Sequence, residues 1–246
     1  MDDSAVVWLL IEIGNTALKA AWSDGLTLGK IYRYQGEKIV DFIVSLTEQQ
    51  RPQVMTIAAA EPVSAETEAV LQKCCSHLIF LDADHRQALS GFSLPDYLSC
   101  DRAASIIAAR FLFPGKSTCI FDFGSTLTID FTDAEGGYLG GNISLGFRTR
   151  FQALNRYSRS LPLVNTPEAP QELGDSVETS IAAGVVSGML FELDGYIRSH
   201  PDAMLIFTGG DANYFAKKMK NSIFVVCNLV LMGLALITDA FVRKNN

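Results

Sequence analysis

Two stretches of the sequence repeat one arrangement of residues. "IEIGNT" (11–16) and "FDFGST" (121–126) each place an acidic residue, one apolar residue, Gly and two small polar residues after an apolar run. In a turn between two strands, Gly lets backbone N–H groups approach a phosphate closely. A carboxylate beside the turn, Glu12 or Asp122, can hold a metal ion or a metal-bound water. The repeat favours two phosphate-binding hairpins over two ordinary hairpins with acidic residues.

Neighbouring residues extend this prediction toward a nucleotide. Lys19 follows the first turn and Asp130 ends the second copy, which favours phosphate binding over plain turns. The segment "TGGDA" lies between a predicted strand and a predicted helix, where Gly209 and Gly210 permit close approach of a ribose or a flat ring. The alternative for this segment is a simple helix cap by Asp211.

A third group of polar residues opens a predicted helix in "SCDRAASIIAARFLF". The carboxylate of Asp101 could take a proton from an alcohol acceptor, and the alternative is a plain N-cap. The guanidinium of Arg102 could pair with a substrate carboxylate through two hydrogen bonds, and the alternative is a solvated charge on the helix.

The elements that position these residues follow one scheme twice. Each half has three strands joined by short turns, which predicts antiparallel pairing, followed by alternating helices and strands. This pattern predicts an α/β fold with a mixed sheet in each half. Pro114 and Gly115 mark a break, so we predict an N-terminal lobe at residues 1–115 and a C-terminal lobe at 116–246.

Composition narrows the class of protein. The net charge is −7 and the basic residues are scattered, which argues against nucleic-acid binding. The five cysteines form no CxxC motif, which is typical of reduced thiols in a cytoplasmic protein. The apolar run 223–237 is too short for a membrane span, so we predict a strand at 223–227 and a core helix at 228–243. No membrane partner is expected.

Several motifs, taken in order, carry a family resemblance. They are "EIGNTALK" (12–19), "SCDR" (99–102), "DFGSTLTID" (122–130), "GGYLGGNISLG" (136–146) and "TGGDA" (208–212). With this set the sequence resembles the type III pantothenate kinases of the acetate kinase/sugar kinase/Hsp70/actin superfamily. The resemblance implies an actin-like duplicated fold of two ribonuclease H-like lobes, each a mixed five-stranded sheet flanked by helices. It also implies ATP-dependent phosphorylation of pantothenate to 4'-phosphopantothenate, the first step of coenzyme A biosynthesis.

The resemblance also implies roles for individual residues. ATP, lying between the two halves, would be bound by Glu12, Ile13, Gly14, Asn15, Thr16, Lys19, Gly124, Ser125, Thr126, Gly209 and Gly210. Pantothenate would be bound by Phe92, Ser99, Cys100, Asp101 and Arg102, with Asp101 as the catalytic base. Asp122 would hold a monovalent cation, K⁺ or NH₄⁺, and Glu12 would hold Mg²⁺ through water. The family also implies a homodimer whose substrate site is completed across the interface.

Five positions depart from the family pattern and concern the fit of the substrate. They are Glu12 for Asp, Phe92 for Tyr, Ser99 for Gly, Leu145 for Pro and Val177 for Thr. Two alternatives therefore stay open. One is another small-alcohol or sugar kinase on the same fold, and the other is a non-catalytic regulatory homologue.

Overall fold

The computed structural model describes residues 7–245, which divide into two compact units. The first unit comprises residues 7–112 and 228–245, and the second comprises Phe113–Cys227. The sequence predicts the first strand at residues 6–13. Val6 lies outside the described residues, and the structure has this strand from Val7 to Ile13.

The first unit is built on a five-stranded mixed sheet in the order β3-β2-β1-β4-β5. Its strands are β1 (Val7–Ile13), β2 (Leu18–Asp24), β3 (Thr27–Tyr34), β4 (Val54–Ala59) and β5 (His77–Leu81). Its helices are α1 (Ile39–Thr47), α2 (Ala65–Lys73), a 3-10 helix (Gln87–Phe92), α3 (Cys100–Leu112) and α7 (Leu229–Asn245). Strand β1 is apolar at successive positions because α3 and α7 cover one face of the sheet and α1 and α2 cover the other.

The second unit repeats this topology with the strand order β10-β9-β6-β7-β8. Its strands are β6 (Thr118–Phe123), β7 (Thr126–Thr132), β8 (Tyr138–Leu145), β9 (Met204–Gly209) and β10 (Ile223–Val225). Its helices are α4 (Phe147–Tyr157), α5 (Val177–Ser199) and α6 (Ala212–Ala216). In both units the first three strands are antiparallel and the last two pair in parallel. The predicted fold class of two mixed five-stranded sheets is confirmed.

The C-terminal helix α7 belongs to the first unit, whereas the predicted second lobe ran to residue 246. Gly233 explains the close packing of α7 on α3, because an added Cβ would lie 1.9 Å from the carbonyl oxygen of Ala104. A buried hydrogen bond of 2.6 Å between Thr56 and Thr238 also ties α7 to β4. The structure divides the chain after residue 112 and again after residue 227, whereas the sequence predicted a single division after residue 115.

The apolar run 223–237 is a strand followed by a helix, as predicted, because β10 ends before α7 begins. Among residues 7–245, α5 alone is long and apolar enough to cross a membrane by length and composition. One such helix is weak evidence, since core helices pass the same test, and Met189 and Leu193 of α5 are buried in the core of the second unit.

Candidate active site

In the first unit, the acidic hairpin lies where the parallel strands end. Strands β1, β4 and β5 are parallel, so their carboxyl ends meet at one edge, the usual ligand-binding edge of such sheets. Glu12 lies near the end of β1, and the turn after it is closed by a 3.1 Å hydrogen bond from Gly14 N–H to Ala17 O. The strand register pairs Glu12 with Lys19, and Lys19 Nζ lies 3.3 Å from Glu12 Oε2. An ion pair therefore stands beside the predicted phosphate turn.

The charge of Asp101 acts on Glu12 of the first hairpin. Burial raises the pKa of Glu12 above its ordinary value of 4.5, the charge of Lys19 opposes the rise, and the charge of Asp101 adds to it. Asp101 must therefore lie close enough to Glu12 for their charges to interact. Strand alternation agrees, because Glu12 shares the side of β1 that carries Trp8, the side covered by α3.

The start of α3 fixes the position of Asp101. The first helical hydrogen bond runs from Ala103 N–H to Ser99 O at 2.9 Å, so Ser99 occupies the cap position. Asp101 lies within the first turn, where its Oδ1 accepts a 2.9 Å hydrogen bond from Arg102 N–H. The alternative in which Asp101 is the N-cap is wrong.

The other predicted substrate residues have different surroundings. Arg102 is buried, with 7% of its surface exposed, whereas Ser99 is exposed and Phe92 is half-buried at the end of the 3-10 helix. The thiol of Cys100 is buried and donates to the carbonyl oxygen of Asp82 at 3.4 Å. The Cys100 side chain therefore packs the start of the helix.

The second hairpin is held from outside its own turn. Gly124 N–H donates to Thr126 O at 3.0 Å, which closes the turn itself. The carbonyl oxygen of Ser125 accepts hydrogen bonds from Gly146 N–H at 3.1 Å and from Thr149 Oγ1 at 2.6 Å. Because Gly146 precedes α4 directly, the beginning of that helix fixes the turn.

Asp122 lies directly against the "TGG" segment in the second unit. The parallel register pairs Asp122 with Thr208 and Phe123 with Gly209. Gly209 has a φ of +88°, and an added Cβ would lie 2.5 Å from Asp122 Oδ1. Gly210 N–H donates to Phe123 O at 2.9 Å. Only glycine fits at position 209, because both the conformation and the contact exclude a side chain.

Asp211 does not act as the side-chain cap that the alternative reading required. It precedes α6, but its carboxylate makes no capping hydrogen bond to that helix and lies 3.8 Å from Arg148 Nη2. The cap alternative for the "TGGDA" segment is therefore unsupported.

The position of Val177 offers no replacement hydroxyl for the family's Thr. Val177 is the first residue of α5 and is half exposed. The neighbouring Ser176 and Thr179 form a capping box, in which each side-chain oxygen accepts a hydrogen bond from the other's backbone N–H. Their hydroxyls are thus used by the helix cap.

Sequence reasoning missed Asp82, which comes directly after β5. Its place resembles those of Glu12 and Asp122, which lie near the ends of β1 and β6. Its Oδ1 accepts hydrogen bonds from the N–H groups of Asp84 and His85 at 2.9 and 2.8 Å, and lies 2.9 Å from His85 Nδ1. Burial alone would raise the pKa of Asp82, but these contacts outweigh it and lower that pKa. The hydrogen bond to Asp82 raises the pKa of His85, although burial opposes this rise. The sequence signal for Asp82 was an acidic residue directly after an apolar run. In the structure this carboxylate organises the loop that follows β5.

Direct metal ligands are sparse. Within the part of the chain that the structure describes, no group of three or more His, Cys, Asp and Glu side chains could enclose a metal ion. A magnesium ion at Glu12 would therefore depend on water and on nucleotide phosphates for most of its ligands, which is usual for this ion.

Two mixed five-stranded sheets of the same topology in one chain define the fold class, which is actin-like. The chain is similar to an activator of 2-hydroxyisocaproyl-CoA dehydratase from Clostridium difficile with bound ADPNP, at 13% identity and a TM-score of 0.55 over 97% of each chain. It is also similar to MreB5 of Spiroplasma citri bound to ADP, at 11% identity and a TM-score of 0.51 over 97% of this chain and 98% of that one. At these identities the likeness concerns the fold alone.

Sequence comparison defines the family. A family model described as type III pantothenate kinase matches residues 8–199. The type III pantothenate kinase of Phocaeicola vulgatus is 36% identical over 231 residues, covering 92% of this chain and 95% of that protein. Its counterpart from Bacteroides fragilis strain YCH46 is 32% identical with the same coverage. The chain belongs to the type III pantothenate kinase family.

Proposed function

We propose that this protein transfers the γ-phosphoryl group of ATP to the primary hydroxyl of pantothenate, with Asp101 as the base. Family membership supports the kinase reaction and its place at the start of coenzyme A biosynthesis. The observation that carries the residue assignment is the position of Asp101 in the first turn of α3, whose side of the sheet also carries Glu12, and the charge of Asp101 acts on Glu12.

The chemistry suits these groups. Phosphoryl transfer needs positioning and neutralisation of charge more than covalent catalysis. A primary alcohol is a poor acid, and a carboxylate within hydrogen-bond reach can take its proton late in the transfer. Asp101 is held rigidly, because Ala103 and Ala104, two and three residues further along α3, are fully buried. Arg102 binds the carboxylate of pantothenate, while Phe92 and Ser99 line the substrate.

We assign nucleotide-binding roles to the glycine turn of each unit, taken by itself. In the first unit, the Gly14–Thr16 turn and Lys19 hold phosphates, and Glu12 holds Mg²⁺ through water. In the second unit, the turn at 124–126 holds phosphates, Asp122 holds K⁺ or NH₄⁺, and Gly209–Gly210 contacts the nucleoside. When bound, the cations neutralise charge that develops on the transferred group.

A radiolabelled-ATP assay with and without pantothenate, in magnesium and potassium, tests the reaction. Asp101→Asn should lower kcat by about 10²- to 10⁴-fold, the usual contribution of a general base, with an unchanged melting temperature. The matched control is Asp96→Asn, which changes an exposed carboxylate of the preceding loop and should leave turnover unchanged. Full activity in Asp101→Asn would remove the base from this proposal.

A sugar or another small alcohol is a second candidate acceptor, because two positions lack hydroxyl groups that the family uses to bind substrate. Phe92 has no hydroxyl, and the hydroxyls beside Val177 are engaged in the α5 cap. A substrate panel decides, since a sugar or another small alcohol phosphorylated faster than pantothenate would replace the acceptor. Absence of turnover with every acceptor, in a folded protein that captures a partner protein, would instead support the non-catalytic homologue.

We also propose that the protein is a cytoplasmic homodimer whose substrate site is completed by the partner subunit. The family resemblance supports the dimer, and the second unit offers a surface for it. A mostly apolar cavity of about 1160 Å³ lies between α4 and the N-terminal half of α5, with Tyr157 and Leu154 exposed at its wall. Such a patch is typical of an association surface. Light scattering should show a dimer, and Tyr157→Glu should weaken it.

A further inference from the structure

The segment 82–99 connects β5 to α3 and carries two of the proposed substrate residues, Phe92 and Ser99. It contains only a short 3-10 helix, yet polar contacts fix it at three points. At its start, Asp82 accepts the hydrogen bonds that turn the chain at Asp84 and His85. The two other points are each held by an arginine side chain.

Arg86 holds the end of the segment. Its Nη1 donates to the carbonyl oxygen of Leu98 at 2.6 Å and lies 3.6 Å from Cys100 Sγ. The same thiol donates to Asp82 O, so the start of the segment, its end and the first residue of α3 share one network. Leu98 lies three residues before Asp101, and this network therefore sets where the helix bearing Asp101 begins.

Arg110 holds the middle of the segment. It lies in the last turn of α3, and its Nη1 donates to the carbonyl oxygen of Phe92 at 2.7 Å. Arg110 therefore links the Phe92 backbone to the helix that carries Asp101.

The segment also carries features that cost stability. Ser93 has a φ of +51°, and in residues 7–245 it is the one residue other than glycine with a positive φ. The Nε atom of Arg86 is buried without a hydrogen-bond partner. Unfavourable conformations and unpaired donors persist where the surrounding structure enforces them, and they concentrate at functional sites.

We propose that Arg86 and Arg110 are positioning residues, which hold the segment 92–99 against α3 so that the acceptor alcohol meets Asp101. The inference rests on the proposed kinase function. Neither arginine touches the substrate in this assignment, and both act through backbone carbonyl groups. Because the segment carries acceptor contacts and not the phosphate turn, its loosening should affect pantothenate more than ATP.

Steady-state kinetics on the full chain test this assignment through Arg86→Met and Arg86→Lys. Arg86→Met should lower kcat/KM for pantothenate by roughly ten- to a hundredfold, the scale expected for a small misplacement of substrate, with KM for ATP unchanged. Arg86→Lys should recover part of the loss, because an ammonium group can still donate to one carbonyl. The control is Arg198→Met, which removes an exposed arginine from α5 and should change neither parameter.

If the loss of kcat in Arg86→Met matched a smaller folded fraction measured by circular dichroism, with both KM values unchanged, the proposal would be overturned. Amide hydrogen exchange of a peptide covering 93–99 adds a readout independent of activity. Exchange in this peptide should be faster in Arg86→Met and Arg110→Met than in the wild type, and equal protection would overturn the proposal. If the wild type does not phosphorylate pantothenate, the proposed function fails, and the exchange result alone decides whether the two arginines hold the segment.

Discussion

The two acidic hairpins share a sequence pattern but are supported differently. In the first, Glu12 pairs with Lys19 of the same hairpin, and an added Cβ on Gly14 would lie 3.3 Å from Ala17 O. In the second, Asp122 packs against Gly209 of another strand. The second turn is also bound by groups at the start of α4, twenty and more residues along the chain.

The difference indicates that the second turn is preorganised and that the first can adjust. A turn fixed by distant parts of the fold is preorganised, so little conformational freedom is lost when a ligand binds. A turn whose ion pair is internal to the hairpin can change partners when phosphate arrives. We therefore expect the second hairpin to tolerate little change, and the first to tolerate changes that keep its carboxylate.

The largest effect is expected from Gly209→Ala. A side chain here requires an unfavourable φ and meets both Asp122 and the backbone of Phe123, which should cost about 2–4 kcal/mol of unfolding free energy. Turnover should fall roughly a hundredfold because Asp122 is displaced. Denaturation and ATP turnover measure the two effects. Gly210→Ala is the control, since its added Cβ would lie 4.0 Å from Phe123 O, and its stability should change by about 0.5 kcal/mol or less.

The next effect compares the turns directly through Gly146→Ala and Gly14→Ala. An added Cβ at position 146 would lie 2.2 Å from Gly124 O, so the start of α4 must move away from the second turn. This shift should cost about 1–3 kcal/mol of unfolding free energy. At position 14 the nearest atom is 3.3 Å away, and a small shift should keep the cost below about 1 kcal/mol. Urea titrations rank the two variants. A larger loss in Gly14→Ala would reverse the assignment of the second hairpin as the more constrained one.

For turnover, the charge of the Glu12 carboxylate should matter more than the length of the Glu12 side chain. Glu12→Asp should keep activity, because the shorter acid can still hold a metal-bound water. Glu12→Ala should lose about ten- to a hundredfold in turnover, equivalent to about 1.4–2.8 kcal/mol of barrier. Initial rates at saturating magnesium check both. If both variants were fully active, Glu12 would be an ordinary turn residue.

The smallest effect concerns pH and the stability of the first unit. Burial raises the pKa of Glu12 above its ordinary 4.5, with Lys19 opposing and Asp101 adding to the rise. The folded chain thus holds this proton more tightly than the unfolded chain, and ionisation of Glu12 destabilises the fold. The penalty is absent well below pH 4.5, grows with pH and levels off above the raised pKa. Glu12→Gln should therefore be more stable than the wild type at neutral pH.

That gain should shrink as the pH falls toward 4.5 and vanish below it. Thermal unfolding of both proteins across this range measures the difference. A constant difference at every pH would mean that the substitution acts through packing and not through the charge.

Local patterns predicted the repeated sheet and both hairpins, because apolar runs, turns and glycines act over a few neighbouring residues. The same patterns assigned Asp101 to the opening of a helix. They could not supply the brace on Ser125, since Gly146 and Thr149 come from a later element. Nor could they show that the Cys100 thiol is engaged with Asp82, because that contact closes a loop of 18 residues.

The position of α7 shows a second limit of local patterns. Residues 223–237 predicted a strand and a helix correctly, but an apolar helix does not reveal which sheet it covers. The information lies in a pair of small residues, Gly233 and Ala104, which are far apart in the sequence. Without the contact between them, assignment to the preceding lobe was the simpler expectation.

The return of α7 to the first unit also sets an order of assembly during synthesis. Val230, Leu231 and Leu234 belong to the core that β1 and α3 begin, so that core stays incomplete until the whole second unit has emerged from the ribosome. Domains usually fold in the order in which they are made. Here the second unit, whose sheet and helices are continuous in the chain, can close first, while the unit made first must wait with an apolar face exposed.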